Sequence, residues 1–125
     1  MFESNHKKLE SIIGTNSDFI GEINVSGTLR VDGMVHGKLN ADCVIVSESA
    51  MVKGDIKARA IIVGGKVEGN LFGQEIIEIK SKGTVLGEIY THKFFVIEGG
   101  VLNGRVQTKT DESNLIPLES KVQEA

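Results

Sequence analysis

Apolar and polar residues alternate along most of this chain with a period of two, and glycine punctuates the alternation at near-regular intervals. The motif apolar-x-Gly-x-apolar occurs six times, at Gly21, Gly37, Gly54, Gly69, Gly87 and Gly104, with separations of 16, 17, 15, 18 and 17 residues. The apolar residue before the glycine is Phe19, Val35, Val52, Val67, Val85 or Leu102. The one after is Ile23, Leu39, Ile56, Leu71, Ile89 or Val106. A second motif, apolar-x-apolar, follows each of the first five glycines by 7 or 8 residues and supplies Leu29/Val31, Val44/Val46, Ile61/Val63, Ile77/Ile79 and Phe95/Ile97. Ser11-Ile12-Ile13 aligns with it as a partial unit ahead of Phe19.

Residues i, i+2 and i+4 share one face of a strand, whereas a helix would repeat at i, i+3 and i+4. A unit of about 17 residues holds three short strands and three corners. Such units bury a continuous core when stacked, and parallel crossovers are strongly biased to the right hand. The pattern therefore predicts an all-β chain: a right-handed parallel β-helix of about six coils and three faces, with a body roughly 29 Å long. The six glycines are expected to face inward with their apolar flanks. Each is required by a tight corner or by a positive φ. The residue after each glycine reads Glu22, Lys38, Asp55, Asn70, Glu88 and Arg105 up the column. Three neighbouring pairs are opposite in sign and none is alike, which favours in-register stacking.

Composition narrows the function. The chain has 125 residues, enough for one domain, and a net charge of −3. With aromatics at 5% and no Trp, it lacks the basic field and the stacking platform of a nucleic-acid binder. One cysteine, Cys43, rules out an internal disulfide and suits a reducing compartment. No apolar run reaches signal-peptide or membrane-spanning length, so a cytoplasmic location is expected. All 15 glycines lie between Gly14 and Gly104, and isoleucine (14) with valine (13) dominates the apolar set. Residues 11–107 are thus the β-helix. Residues 1–10 carry no strand pattern, and in 108–125 Leu115, Leu118 and Val122 could line only a short helix that is marginal by itself, so both segments are expected to be flexible tails.

No catalytic chemistry emerges. His6, His36, His92 and Cys43 share no metal-ligand spacing, so neither a metal nor a cofactor is expected. Gly64-Gly65 and Gly99-Gly100 lack the lysine and following helix of a phosphate loop and read as corners. Cys43 reads as a small filler at a strand start. Ile45 and Ile62 fall side by side on the outside, a candidate lateral patch.

A β-helix has two open ends, each an unpaired backbone edge over a cut apolar core. The first coil presents Ile12, Ile13, Phe19 and Ile23. The last presents Phe95, Ile97, Val101, Leu102 and Val106. Neither end has an evident capping segment. Burial of like ends against each other would satisfy both, so these nine residues are the predicted polymerisation contact.

Several stretches, in order, resemble the bactofilins, bacterial cytoskeletal proteins: Gly21-Glu22-Ile23, Leu29-Arg30-Val31-Asp32-Gly33, Val52-Lys53-Gly54-Asp55-Ile56, Val67-Glu68-Gly69-Asn70-Leu71 and Ile97-Glu98-Gly99-Gly100. The resemblance spans about residues 11–107. It implies a right-handed β-helix that polymerises end to end without nucleotide into non-polar filaments. It further implies attachment to the inner face of the cell membrane and roles in cell shape, motility or the placement of cell-wall enzymes and other scaffold proteins. The start of the chain, Met1 and Phe2 with Lys7 and Lys8, resembles the membrane-targeting segment of that family. Two features depart from it: Leu102 stands where the family often has an aromatic, and the tail holds only Pro117. The rival readings are a β-helical acyltransferase, which would need a strict six-residue repeat, and a monomeric surface-binding β-helix, which would need outward threonine ladders.

Overall fold

The computed structural model describes residues 9–109 and 115–119. Twelve strands follow in order among them: β1 (Leu9–Ile13), β2 (Asp18–Asn24), β3 (Thr28–Val31), β4 (Met34–Asn40), β5 (Cys43–Val46), β6 (Met51–Lys53), β7 (Ile56–Val63), β8 (Lys66–Glu68), β9 (Leu71–Ile79), β10 (Thr84–Val96), β11 (Val101–Lys109) and β12 (Leu115–Glu119). The described residues contain no helix. Every pairing but one is parallel and joins a strand to its counterpart one coil away, as in β2 with β4 and β10 with β11. The molecule is a parallel β-helix of about six turns.

The period-two pattern produces this directly. In β3, Leu29 and Val31 are buried and Arg30 is exposed; in β9, Leu71, Gly73, Ile77 and Ile79 are buried between more exposed neighbours. The inward side chains stack coil on coil. Val35, Leu39, Val52, Ile56, Val67, Leu71, Val85 and Ile89 all reach 0% exposure. Burying one such side chain contributes about 1.5–3 kcal/mol, so the continuous column is the principal source of stability.

Unequal coil lengths have two local causes. Four corners are four-residue turns, closed by N–H to C=O bonds from Ser17 to Gly14, Ala50 to Ser47, Gly83 to Lys80 and Gly100 to Ile97 at 2.8–3.0 Å. The counterparts at Asp32-Gly33 and Gly64-Gly65 are two residues shorter. Single extra residues supply the rest: Asn24 to Thr28 is one residue longer than its counterpart Asn40 to Cys43, and Gly73 to Ile76 is one longer than Ala58 to Ala60. These variations leave the inward columns in register.

The glycine column differs from expectation. The glycines do take positive φ, from 139° to 153°. They are not core residues, however; Gly37, Gly54, Gly69, Gly87 and Gly104 are half-buried. A Cβ at any of these five would lie 1.7–2.0 Å from the carbonyl oxygen of the preceding glycine in the column. Coil-to-coil backbone approach, together with φ, is what demands glycine.

Two further expectations are corrected. In the last coil Phe94 and Val96, not Phe95 and Ile97, pack against the core. Phe94 pairs with Ile77 and Val96 with Ile79, after a register shift between Thr91 and Lys93. Residues 94–97 are all apolar, so alternation has no voice there and the coil beneath decides. The second correction concerns the end of the chain, where a flexible tail without a cap was expected. Leu115–Glu119 instead pairs antiparallel with β11, Arg105 opposite Glu119 through Lys109 opposite Leu115. The physical reason is the unpaired outer row of N–H and C=O groups on β11, which the returning chain satisfies.

Candidate assembly surfaces

The two ends of the β-helix are built differently. At the first coil, β1 pairs only with β3 and β2 only with β4 among the described residues, so both outer edges carry no strand. Ile13, Phe19 and Ile23 pack against the core but remain half-buried, as expected of a coil with nothing stacked on its outer side. Gly21 shows the same openness in another way: among the described residues a Cβ there would meet only the ring of Phe19, at 3.4 Å. At the last coil Leu102 and Val106 are fully buried and Val101 is half-buried. There β12 covers the edge of residues 105–109. The edge strand β12 contains Pro117, which has no N–H to donate and so makes a poor template for a further strand.

The nine predicted contact residues therefore divide. Ile13, Phe19 and Ile23 gather at the open first coil, and Val101, Leu102 and Val106 at the covered last coil. Ile12, Phe95 and Ile97 point outward, with 58%, 51% and 42% exposure. Met1, Phe2, Lys7 and Lys8 lie outside the described residues.

Those outward residues belong to a surface that period-two reading resolved only in part. One outward column runs Ile12, Arg30, Ile45, Ile62, Glu78, Phe95, each paired in register with the next. The sequence pattern pointed to Ile45 and Ile62; the corrected register of the last coil adds Phe95. Arg30 Nε lies 3.0 Å from Asp32 Oδ1, and Lys80 Nζ lies 3.4 Å from Glu78 Oε2. A hydrogen bond from Ser47, and then Arg30, holds the Asp32 carboxyl below its ordinary range.

The column after the glycines is stitched by side chains. Asp55 Oδ1 accepts the Asn70 N–H at 3.0 Å, and Asn70 Oδ1 accepts the Glu88 N–H at 3.2 Å. Arg105 donates to Glu88 at 3.1 Å. The Tyr90 hydroxyl also donates to Glu88, which raises the phenol pKa; that bond, followed by Arg105, lowers the carboxyl pKa. The Tyr90 ring stacks on Phe72 at 5.0 Å, and Lys57 Nζ stands 5.7 Å from the Phe72 centroid. An open groove of about 430 Å³ lies beside these rings. Lys57 and Arg59 both line it, and Arg59 is held by Asp42 at 3.1 Å and Glu75 at 2.9 Å, which keep it firmly protonated. Among the described residues no group of three or more His, Cys, Asp or Glu stands together as a metal site. No helix among them is long and apolar enough to cross a membrane.

These observations describe a stack with an open first coil and a last coil that β12 covers along residues 105–109, and comparison with known proteins places it. The bactofilin family model, described as polymer-forming cytoskeletal, matches residues 11–107. The chain belongs to the bactofilin family. Bactofilin BacP of Myxococcus xanthus (strain DK1622) is 28% identical over 110 residues, which cover 87% of this chain and 46% of the relative. Bactofilin BacO of the same organism is 27% identical over 103 residues, 82% of each chain. The chain thus spans under half of the first relative and about four fifths of the second. No solved structure matches significantly. Bactofilins are cytoskeletal structural proteins, and the matched range coincides with the coils from β1 to β11.

Proposed function

We propose that this bactofilin polymerises end to end, without nucleotide, into non-polar filaments. The observation that supports this most is the open first coil: unpaired β1 and β2 edges over half-buried Ile13, Phe19 and Ile23. Stacking two first coils would pair those edges and bury those side chains. Of the predicted contact at the other end, built on Val101, Leu102 and Val106, only Val106 lies on the stretch of β11 that β12 pairs, opposite Leu118. Growth there requires β12 to leave that edge or to be accommodated beside it. An uneven pair of ends fits a filament made by joining like ends, since each contact then has its own chemistry.

Attachment to the inner face of the cytoplasmic membrane through Met1, Phe2, Lys7 and Lys8 completes the reading. Filaments lying there would scaffold cell shape, motility or the placement of cell-wall enzymes and other proteins. The name of the family model, polymer-forming cytoskeletal, supports the self-association. Electron microscopy of the purified chain, with and without nucleotide, is the test. Filaments of uniform width in both conditions are expected. Monomers across salt and protein concentration would remove the reading.

A further inference from the structure

We infer that the outward face carrying Ile45 and Ile62 is a lateral contact between two copies of this chain that run in opposite directions. The argument rests on the order of side chains up that face. From first coil to last the central column reads Ile12, Arg30, Ile45, Ile62, Glu78, Phe95. Read backwards, apolar residues again stand at the ends and the middle, and the two charged positions exchange sign. A two-fold axis along the strand direction reverses the coil order while keeping each position along the strand. Two copies related in this way place Ile45 against Ile62 of the other copy, Ile12 against Phe95, and Arg30 against Glu78.

The neighbouring corner column obeys the same rule independently. It runs through Asp32, Ser47, Gly64 and Lys80, whose N–H groups bond to Ile13, Val31, Val46 and Val63. Reversal sets Asp32 against Lys80 of the other copy and small Ser47 against small Gly64. Each copy already holds Arg30 beside Asp32 and Lys80 beside Glu78. The contact therefore assembles four charges of alternating sign twice over, once at each end of the apolar middle. A parallel arrangement about an axis along the stack would instead oppose Arg30 to Arg30 and Glu78 to Glu78. Complementary charge of this kind fixes orientation and register, while like-charge juxtaposition costs several kcal/mol. Beside the central column stand Cys43, Ala60 and Ile76, partly buried and without charge, so no formal charge interrupts the middle of the face.

The size of the face sets where pairing is seen. Three residues by six coils is roughly 10 Å by 29 Å, about 300 Å². A stable interface between single proteins takes about 800 Å² from each partner. Isolated chains should therefore pair weakly. Filaments, which repeat the contact in series, should pair firmly through avidity. Only this strength rests on the end-to-end reading; the complementarity does not.

Charge reversal tests the contact. Arg30→Glu alone, or Glu78→Arg alone, should lower the fraction of laterally paired filaments at least tenfold in electron micrographs, with single filaments still forming. Mixing equal amounts of filaments of the two variants should restore pairing, because each now carries the complement of the other. The double variant R30E/E78R should pair by itself. Either single variant pairing like wild type, or a mixture that stays single, overturns the proposal. A second readout is independent of filament length. Chains with Ile45→Cys and chains with Ile62→Cys, both in a Cys43→Ala background, should form a disulfide-linked dimer when mixed and oxidised. Cross-linked dimers without filaments would support the lateral contact while removing the end-to-end reading. Filaments without cross-linking would do the reverse.

Discussion

Gly54 sits one coil from Gly37 so closely that a Cβ on Gly54 would lie 1.7 Å from the Gly37 carbonyl oxygen. Each coil is thus locked to the one before it by backbone alone at that corner. The relationship distinguishes interior coils from the first, where among the described residues Gly21 has no preceding carbonyl to meet.

Alanine at these two positions should separate the two demands on glycine. Gly21→Ala meets only an unfavourable φ of +139° and should cost about 1–3 kcal/mol. Gly54→Ala adds a backbone clash that no side-chain motion relieves and should cost roughly 3 kcal/mol or more. Thermal or denaturant unfolding of the two variants checks the difference. Equal losses would mean that φ alone is the constraint.

The proposed end contacts can be blocked one at a time. Phe19→Arg at the open coil should leave the fold intact and yield dimers joined through last coils. Leu102→Arg, at a fully buried position, should lose about 3 kcal/mol or more of stability and yield dimers joined through first coils. The doubly substituted chain should stay monomeric in sedimentation. Long filaments from Phe19→Arg would remove the first-coil contact from the proposal. An unfolded Leu102→Arg product would assign Leu102 to the core alone and leave the Phe19 arm to decide.

Cutting the chain after Lys109 removes β12 and uncovers the outer edge of β11. The shortened chain should assemble at a lower protein concentration than the full chain, as read by pelleting. No change in the concentration threshold would show that β12 does not stand in the way of growth.

Deleting residues 2–8 should abolish co-sedimentation with anionic liposomes while filaments persist. Each lysine near an anionic surface contributes only about 1 kcal/mol, so the proposed attachment would depend on many tails displayed together. A deleted chain that still pellets with liposomes means that another segment is the anchor.

The Tyr90–Glu88 hydrogen bond predicts a measurable pH signature. Tyr90 is the one tyrosine and there is no tryptophan, so phenolate absorbance reports this group by itself. Its midpoint should lie above 10.0, since Glu88 favours the protonated phenol. The stabilisation from Tyr90 is full below that value and is lost as pH rises through the folded midpoint. The Glu88 carboxyl behaves oppositely: its pKa is lowered from 4.5, so its contribution is present above that value and lost as pH falls through the folded one. Glu88→Gln should bring the tyrosine midpoint back down; an unmoved midpoint would mean the bond is absent in solution.

The sequence by itself determined the stack. Val, Ile and Leu at alternate positions, together with glycines at near-regular spacing, are local signals, and a parallel coil is the architecture that buries them all. It also determined most of the register, because moving Val35 or Ile61 by one place would put a 0%-exposed side chain into water. Three matters needed the tertiary structure. Phe94, Phe95, Val96 and Ile97 satisfy either register, so only pairing with Ile77 and Ile79 could choose which of them face inward. The glycine column was visible, but its cause was not, because the obstructing oxygen belongs to another coil more than a dozen residues away. Leu115–Glu119 carries a proline and few neighbours of its own kind, and it becomes a strand because β11 offers an unpaired edge. In each case the deciding atoms are distant in sequence, and a short-range pattern has no access to them.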